Sequence, residues 1–376
     1  PLFELQRQLP AGAAGDGLCD EHTVDAACVK LFERLPHAAG VIERDDARPC
    51  EQGADALGLR LGTGDQERAH GMQRRVHSSH LESEVGAEKQ KRRFGDRKDG
   101  RLLRDLDGMH FITPLIYPNR CDNEAYISET IDLTNMNAYL ERKNADETEF
   151  RYTMFHVIVA ALIKTITLRP KMNRFIANKN VYQRNAISAA FVVKKLFSDN
   201  GAEALAIVYS DPTDNIDSLR AKLYKQISSC RSDALDRSSD SMDILNKMPR
   251  FLSKFLVYLI TKLDKHGWCP EFLIGSDPYY SSALLTNLGS IKLKSGYHHL
   301  TNWGTCSIFC VVGERKKNPF FNQDGTFEMR DSVDLGLTID ERIADGYYYA
   351  KTVRLFKKLL ENPELLELPL SEPVEY

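Results

Sequence analysis

The stretch Leu335–Leu368, "LGLTIDERIADGYYYAKTVRLFKKLLENPELLEL", reads as a strand running into a helix. A carboxylate-rich turn, Asp340-Glu341-Arg342-Ile343-Ala344-Asp345-Gly346, stands at the junction. A spacing of four puts Glu341 and Asp345 on one side if the turn is already helical. A carboxylate near a helix N-terminus is stabilised by the helix dipole as an ordinary cap, so capping and a surface ion pair with Arg342 form the plain reading. A two-carboxylate glycosidase is the alternative chemistry, and it needs the two groups roughly 5 to 9 Å apart across a sugar groove.

Outward from that junction, strands and helices intermingle. "AYISETIDLTNMNAYLERKN" pairs an alternating strand with a short helix that Thr134 could cap. Thr153 to Leu168, "TMFHVIVAALIKTITL", is apolar on nearly every side, as in a helix buried between a sheet and another layer, and Pro170 closes it. "AISAAFVVKKL" and "EALAIVYS" alternate like strands, and "PTDNIDSLRAKLYKQISS" follows as an amphipathic helix. An apolar helix near Phe251 precedes the strand pair "SSALLTNLGSIKL" and "TCSIFCVVGE". This order predicts one α/β domain in two layers, a mixed sheet and helices, from about Lys91 to the C-terminus.

The first ninety residues are written differently. They hold no Asn, Tyr or Trp, a single Ile (Ile42) and two Lys (Lys30, Lys89), among many Ala, Gly and Arg. The downstream chain is rich in Asn, Lys, Ile and Tyr, whose codons are AT-rich where those of Ala, Gly and Arg are GC-rich. Residues 1–90 are therefore expected to be a fusion or a translation of non-coding sequence, with little structure of their own. His22, His37, His70, His77 and His80 fall there, and no metal role is expected for them.

Composition narrows the function classes. With 50 basic against 53 acidic residues the formal net charge is -3, so no global field draws the chain onto nucleic acid or an anionic membrane. Cys19, Cys28, Cys50, Cys121, Cys230, Cys269, Cys306 and Cys310 include no Cys-x-x-Cys pair, which argues for reduced thiols rather than a zinc site or redox motif. The longest apolar run, "FLSKFLVYLITKL" from Phe251, carries Lys254 and falls short of the roughly 20 residues a bilayer needs. No basic-then-apolar signal peptide is recognisable, and the expected location is the cytoplasm. The expected partners are small molecules or another protein, with no nucleic acid, no membrane and no metal.

Three further features could carry chemistry. In "LLTNLGS", Leu284 to Ser290, a hydroxyl (Thr286) and an amide (Asn287) precede Gly289, which allows tight backbone approach or marks an ordinary turn. In "GYHHLTNW", His298 and His299 point to opposite faces if extended. His156, inside the apolar helix, reads as a satisfied core histidine.

Order and content together resemble the catalytic domain of the 2-oxo-acid dehydrogenase dihydrolipoyl acyltransferases, whose fold is shared with chloramphenicol acetyltransferase. "TIDLT" matches the family's early strand, "FHVIVAALIKTITLRPKMNRFI" its first long helix, and "LLTNLGS" its Ser/Thr-Asn-Leu-Gly turn. "DERIADG" followed by "VRLFKKLLENPELL" matches its Asp-His-Arg-x-x-Asp-Gly motif and terminal helix. The resemblance implies a coenzyme A thioester as substrate with no tightly bound cofactor, an acyl donor and acceptor, and a homotrimer with sites between subunits. It makes Thr286 the hydroxyl that stabilises the tetrahedral oxyanion and gives Asp345 a structural role, pairing with an arginine for which Arg120 stands by position. Asn287, Gly289, His298, His299 and Gly346 would line the substrate site. No lipoyl domain or swinging linker is recognisable, so a stand-alone acyltransferase is the expectation rather than a complete dehydrogenase-complex core subunit.

One departure matters. The family's motif supplies a histidine that removes a proton from the attacking thiol or hydroxyl, and Glu341 occupies that position. An unperturbed carboxylate near 4.3 faces a thiol near 8.5, a gap of about 4 units against about 2 for imidazole. The chain is expected to have altered or reduced acyltransferase activity, or to be a non-catalytic trimeric CoA-binding or scaffold protein of the same fold.

Overall fold

The computed structural model describes residues 92–146, 149–194, 203–231, 247–270, 274–275 and 277–376. The segment 1–90, with its expected domain boundary, lies outside them. In chain order the elements are β1 (Gly100–Leu102), α1 (Gly108–Ile116), β2 (Glu124–Asp132), α2 (Thr134–Lys143), α3 (Met154–Leu168), β3 (Arg174–Ala177) and β4 (Asn180–Arg184). Then come β5 (Ile187–Lys194), β6 (Glu203–Ser210), α4 (Ile216–Arg231), α5 (Arg250–Lys265), β7 (Ala283–Asn287), β8 (Ile308–Phe321), β9 (Phe327–Asp340) and α6 (Gly346–Glu361).

Six strands form a mixed sheet in the order β2-β9-β8-β7-β5-β6, and β1, β4 and β3 form a small antiparallel one. β7 runs parallel to both β5 and β8, while β9 is antiparallel to β8 and β2. The fold class is the expected one, α/β with a mixed sheet and helices in two layers. β7 is short and central because "ALL" is apolar on both faces and buried throughout.

The helix α3 is where the sequence placed it. His156 to Ile166 is buried without a break, between β5 on one side and α4 and α6 on the others. Arg169 caps it and Pro170 opens the next turn. Its one ammonium, Lys164, is fully buried and donates to the carbonyls of Leu365 (2.9 Å) and Pro369 (2.9 Å), so that the C-terminal segment docks on α3. Burial pushes that amine down from its ordinary range.

Two expectations are corrected. Thr134 is the first residue of α2 rather than its cap: its N–H and hydroxyl both donate to Asp132, which ends β2. The "apolar helix near Phe251", α5, is amphipathic and buries no residue at all. Among the described residues no helix is long and apolar enough to cross a membrane.

Candidate active site

The turn that opens α6 is built on a buried ion pair. At the end of β9, Asp340 meets Arg342 through a fork: Nε donates to Oδ1 and Nη2 to Oδ2, both at 2.7 Å. The two side chains are 0% and 2% exposed, so a bidentate geometry is what makes this burial tolerable. Arg342 also donates to the Tyr117 carbonyl (2.8 Å), and the Tyr349 hydroxyl donates to the Asp340 carbonyl (2.8 Å). The Asp340 N–H reaches Ser307 (3.0 Å) and the Glu341 N–H reaches Asn123 (3.0 Å), which ties the turn to both neighbouring strands.

This differs from the sequence reading in two ways. The residues between Glu341 and Asp345 are a non-helical turn, so the spacing of four does not put the two carboxylates on one helical side. Arg342, expected in a surface ion pair with them, is buried on Asp340 instead. Asp345 is the N-cap of α6 and accepts the Tyr348 N–H at 2.8 Å, a bond that lowers its pKa. Its nearest cation is Lys171 (3.9 Å), not Arg120. Arg120 is instead buried against the Gly304 carbonyl (Nη2, 2.8 Å), the Thr301 carbonyl and, at 3.8 Å, Asp340. The alternation of an inward Asp340 with an outward Glu341, and a return to Arg342, is the strand period continued one step, which is the signal by which the pair could have been found.

Glu341 itself is exposed, and among the described residues only its backbone N–H is hydrogen-bonded. Gly346, the first residue of α6, is exposed too, and a Cβ added there would meet nothing within 4 Å. The space beside Glu341 and over the helix start is open.

Thr286, next to last in β7, is half-buried opposite Val311, and Asn287 ends the strand with its side-chain oxygen buried and unbonded among the described residues. Leu288–Ile291 is a single 3-10 turn that lies on β8: a Cβ on Gly289 would come 2.4 Å from the Gly313 oxygen. Gly313 and Gly336 make room in turn, for Ser295 and the Gly296 carbonyl. The tight approach expected of Gly289 is present, and these two partners were missed because each glycine alone looks like a lapse in an apolar strand.

The histidines part as expected of an extended pair. His299 sets Nδ1 2.7 Å from Glu124 Oε2, which the Tyr126 hydroxyl also reaches at 2.6 Å. That bond to a carboxylate pushes the Tyr126 phenol up to about 12. His298 stacks on Phe309, with ring centroids 4.9 Å apart. Glu124 and Tyr126, two residues apart on one face of β2, are site neighbours that the alternation of that strand could have flagged.

One chain does not assemble all of these residues. Glu124 lies opposite Asp340, so His299 sits at the Glu341 end of the sheet. Thr286 is level with Val311, which is level with Gly336, five positions before Glu341. At about 3.3 Å per residue and 4.8 Å per strand, Thr286 and Glu341 are roughly 19 Å apart. Because β7 and β9 are antiparallel, their C-termini point toward opposite ends of the strands. The described residues show a surface cleft of about 240 Å³ beside Arg93, Asp96 and Arg101, and an apolar core cavity of about 20 Å³ between α3, α6 and β8. Neither touches the expected site residues. Among the described residues no group of three or more His, Cys, Asp or Glu is placed to hold a metal.

Residues 277–368 match the family model of 2-oxoacid dehydrogenases acyltransferase (catalytic domain). That span runs from the turn before β7 to the residues after α6, and includes Thr286, the histidine pair and the Glu341 turn. A comparison with curated proteins gives no match. Among solved structures the chain is similar to a probable dihydrolipoamide acetyltransferase from Listeria monocytogenes at 15% identity, with a TM-score of 0.46, over 69% of this chain and 94% of that one. It is also similar to dihydrolipoamide acetyltransferase from Azotobacter vinelandii (13%, TM-score 0.48, 71% and 95%). A chloramphenicol acetyltransferase gives 11%, a TM-score of 0.39, and coverage of 70% and 98%.

Proposed function

We propose that the chain is an acyl-CoA-dependent acyltransferase of the cytoplasm, working as a homotrimer in which Glu341 of one protomer faces Thr286 of the next. The observation that carries this reading is the family match over 277–368, which takes in both residues, together with their separation of five positions along the strand direction and two strands across one sheet. A site that needs both requires a second copy.

In such a site the Glu341 carboxylate takes the proton from a thiol, hydroxyl or amine acceptor as it attacks the thioester carbonyl carbon. The carbonyl oxygen becomes an oxyanion, which the Thr286 hydroxyl stabilises by donating to it. Collapse breaks the C–S bond, and the departing CoA thiolate recovers the proton from Glu341. The Asp340–Arg342 pair and the Asp345 cap hold the turn, while His298, His299, Asn287, Gly289 and Gly346 border the space for substrate.

A second reading, a non-catalytic trimeric CoA-binding or scaffold protein of the same fold, is favoured by Glu341 standing where the resembled family has its base. The test is thiol release from acetyl-CoA with a panel of acceptors, beside a CoA-binding measurement. Turnover lost in Glu341→Gln and in Thr286→Ala supports the enzyme with a carboxylate base. Turnover that rises in Glu341→His supports a weakened enzyme, since imidazole narrows the gap by about 2 pKa units. CoA binding without turnover in every variant supports the scaffold.

A further inference from the structure

Helix α5 is 16 residues long, about 24 Å, and none of them is buried. Phe251 (75% exposed), Phe255 and Leu259 stand one turn apart on one line of the helix, with Tyr258 beside them. Arg250, Lys254 and Lys265 border that line, and Lys262 reaches over the Tyr258 ring at 5.6 Å. The only acidic residue of the helix, Asp264, is bound to Arg97 at 2.7 Å, so the charge α5 offers outward is all positive. The opposite side anchors it: Ile260 packs on Cys269, Ile274 and Tyr280, and the Arg97 bond fixes its last turn. Just beyond the C-cap, Trp268 is 68% exposed beside His266.

An apolar stripe bordered by lysines, with a tryptophan at its end, is the pattern of a helix that lies in a lipid headgroup layer. We propose that α5 docks flat on a membrane surface carrying anionic lipid, with Phe251, Phe255 and Leu259 inserted at the acyl boundary and the lysines reaching the phosphates. Charge decides against a symmetric contact between two copies of α5, which would set the same cations against each other. The expectation that no membrane is a partner rested on the length of this run and on the net charge of -3. Neither bears on a helix that lies in the interface and is locally positive.

The test uses the full chain with vesicles of phosphatidylcholine alone and with about 30% phosphatidylserine, in low and high salt. Sedimentation with the anionic vesicles is expected to exceed that with neutral ones by about tenfold or more and to fall as salt screens the lysines. The emission of Trp268 should shift to the blue on binding, while the other tryptophan, Trp303, is held by Asp277 at 2.6 Å and should not move. Replacing Trp268 with Phe should remove that shift. The doubles Phe251→Glu/Phe255→Glu and Lys254→Glu/Lys262→Glu should each abolish sedimentation with unchanged melting temperature, since all four side chains are exposed. No sedimentation with anionic vesicles at low salt overturns the proposal. So does a Phe251→Glu/Phe255→Glu protein that keeps vesicle binding but falls in mass by light scattering, which would assign the face to another copy.

Discussion

If Glu341 and Thr286 act on the same thioester, two broken chains should repair each other. Glu341→Gln keeps Thr286 and Thr286→Ala keeps Glu341. Within one protomer the two positions are roughly 19 Å apart on oppositely directed strands of the sheet, too far to touch one substrate carbonyl. In a cyclic trimer each site takes Glu341 from one copy and Thr286 from its neighbour. With equal amounts of the two variants assembled at random, a site is complete when both of its contributors are intact, which happens about once in four. The two variants, co-expressed with different tags and purified as hybrids free of either homotrimer, hold one complete site of three and should recover about a third of the parent rate of thiol release. Each variant alone should show only the background of an enzyme lacking its base or its oxyanion donor. Hybrids that stay at that background, while the parent turns over and the hybrids are trimers by light scattering, would refute the shared site.

Other perturbations follow from the local geometry. Asp340→Ala leaves the Arg342 guanidinium buried without its counter-charge and should cost about 3–5 kcal/mol in denaturant unfolding; a loss under about 1 kcal/mol would mean that the turn does not depend on the pair. Gly289→Ala puts a methyl 2.4 Å from the Gly313 oxygen and should cost about 1–3 kcal/mol while lowering acyl transfer, because the turn after Thr286 has to lift off β8. Burial holds the His156 imidazole down at about 4 against an ordinary 6.5. The unfolded chain therefore takes up a proton first, and stability that is full above pH ~6.5 should fall by up to about 3 kcal/mol as pH drops to ~4. His156→Gln preserves the acceptor that caps the Thr153 N–H and should flatten that acid limb in urea titrations.

Much of the fold was legible because period and length agree. α3 is apolar on all sides and turns out to be buried on all sides. β5, β6 and α4 fall where alternation and amphipathicity put them. Sequence pattern misled where a residue's partner is distant along the chain. Arg120, Asp340 and Arg342 are charged, and charge reads as surface; the meeting of Arg120 with Thr301 and Gly304, and of Arg342 with Tyr117, places them in the core. α5 failed in the reverse sense, since an apolar run reads as core and no local signal says that its Ile260 side packs on the core while Phe251, Phe255 and Leu259 stay exposed. The candidate site was legible as residue types at the right order along the chain. The separation of Thr286 from Glu341 along oppositely directed strands was not, because strand direction depends on the connections between β7, β8 and β9.

The turn at 340–346 explains why the side chain at 341 is not fixed by folding. Its backbone is fixed by Asp340 and Arg342 below, by Tyr349 from α6 and by the Asp345 cap at the helix start. Glu341 contributes only a main-chain N–H to Asn123, which any residue but proline supplies. Folding therefore places no demand on the side chain at 341, although it spends a buried ion pair on placing its Cα. A position held that firmly, with an exposed side chain that makes no hydrogen bond or ion pair among the described residues, takes its identity from whatever approaches it from outside. In the proposed trimer that is the neighbour's Thr286 and the substrate between them, so exchange at 341 should change acyl transfer while leaving the protomer's stability within about 0.5 kcal/mol.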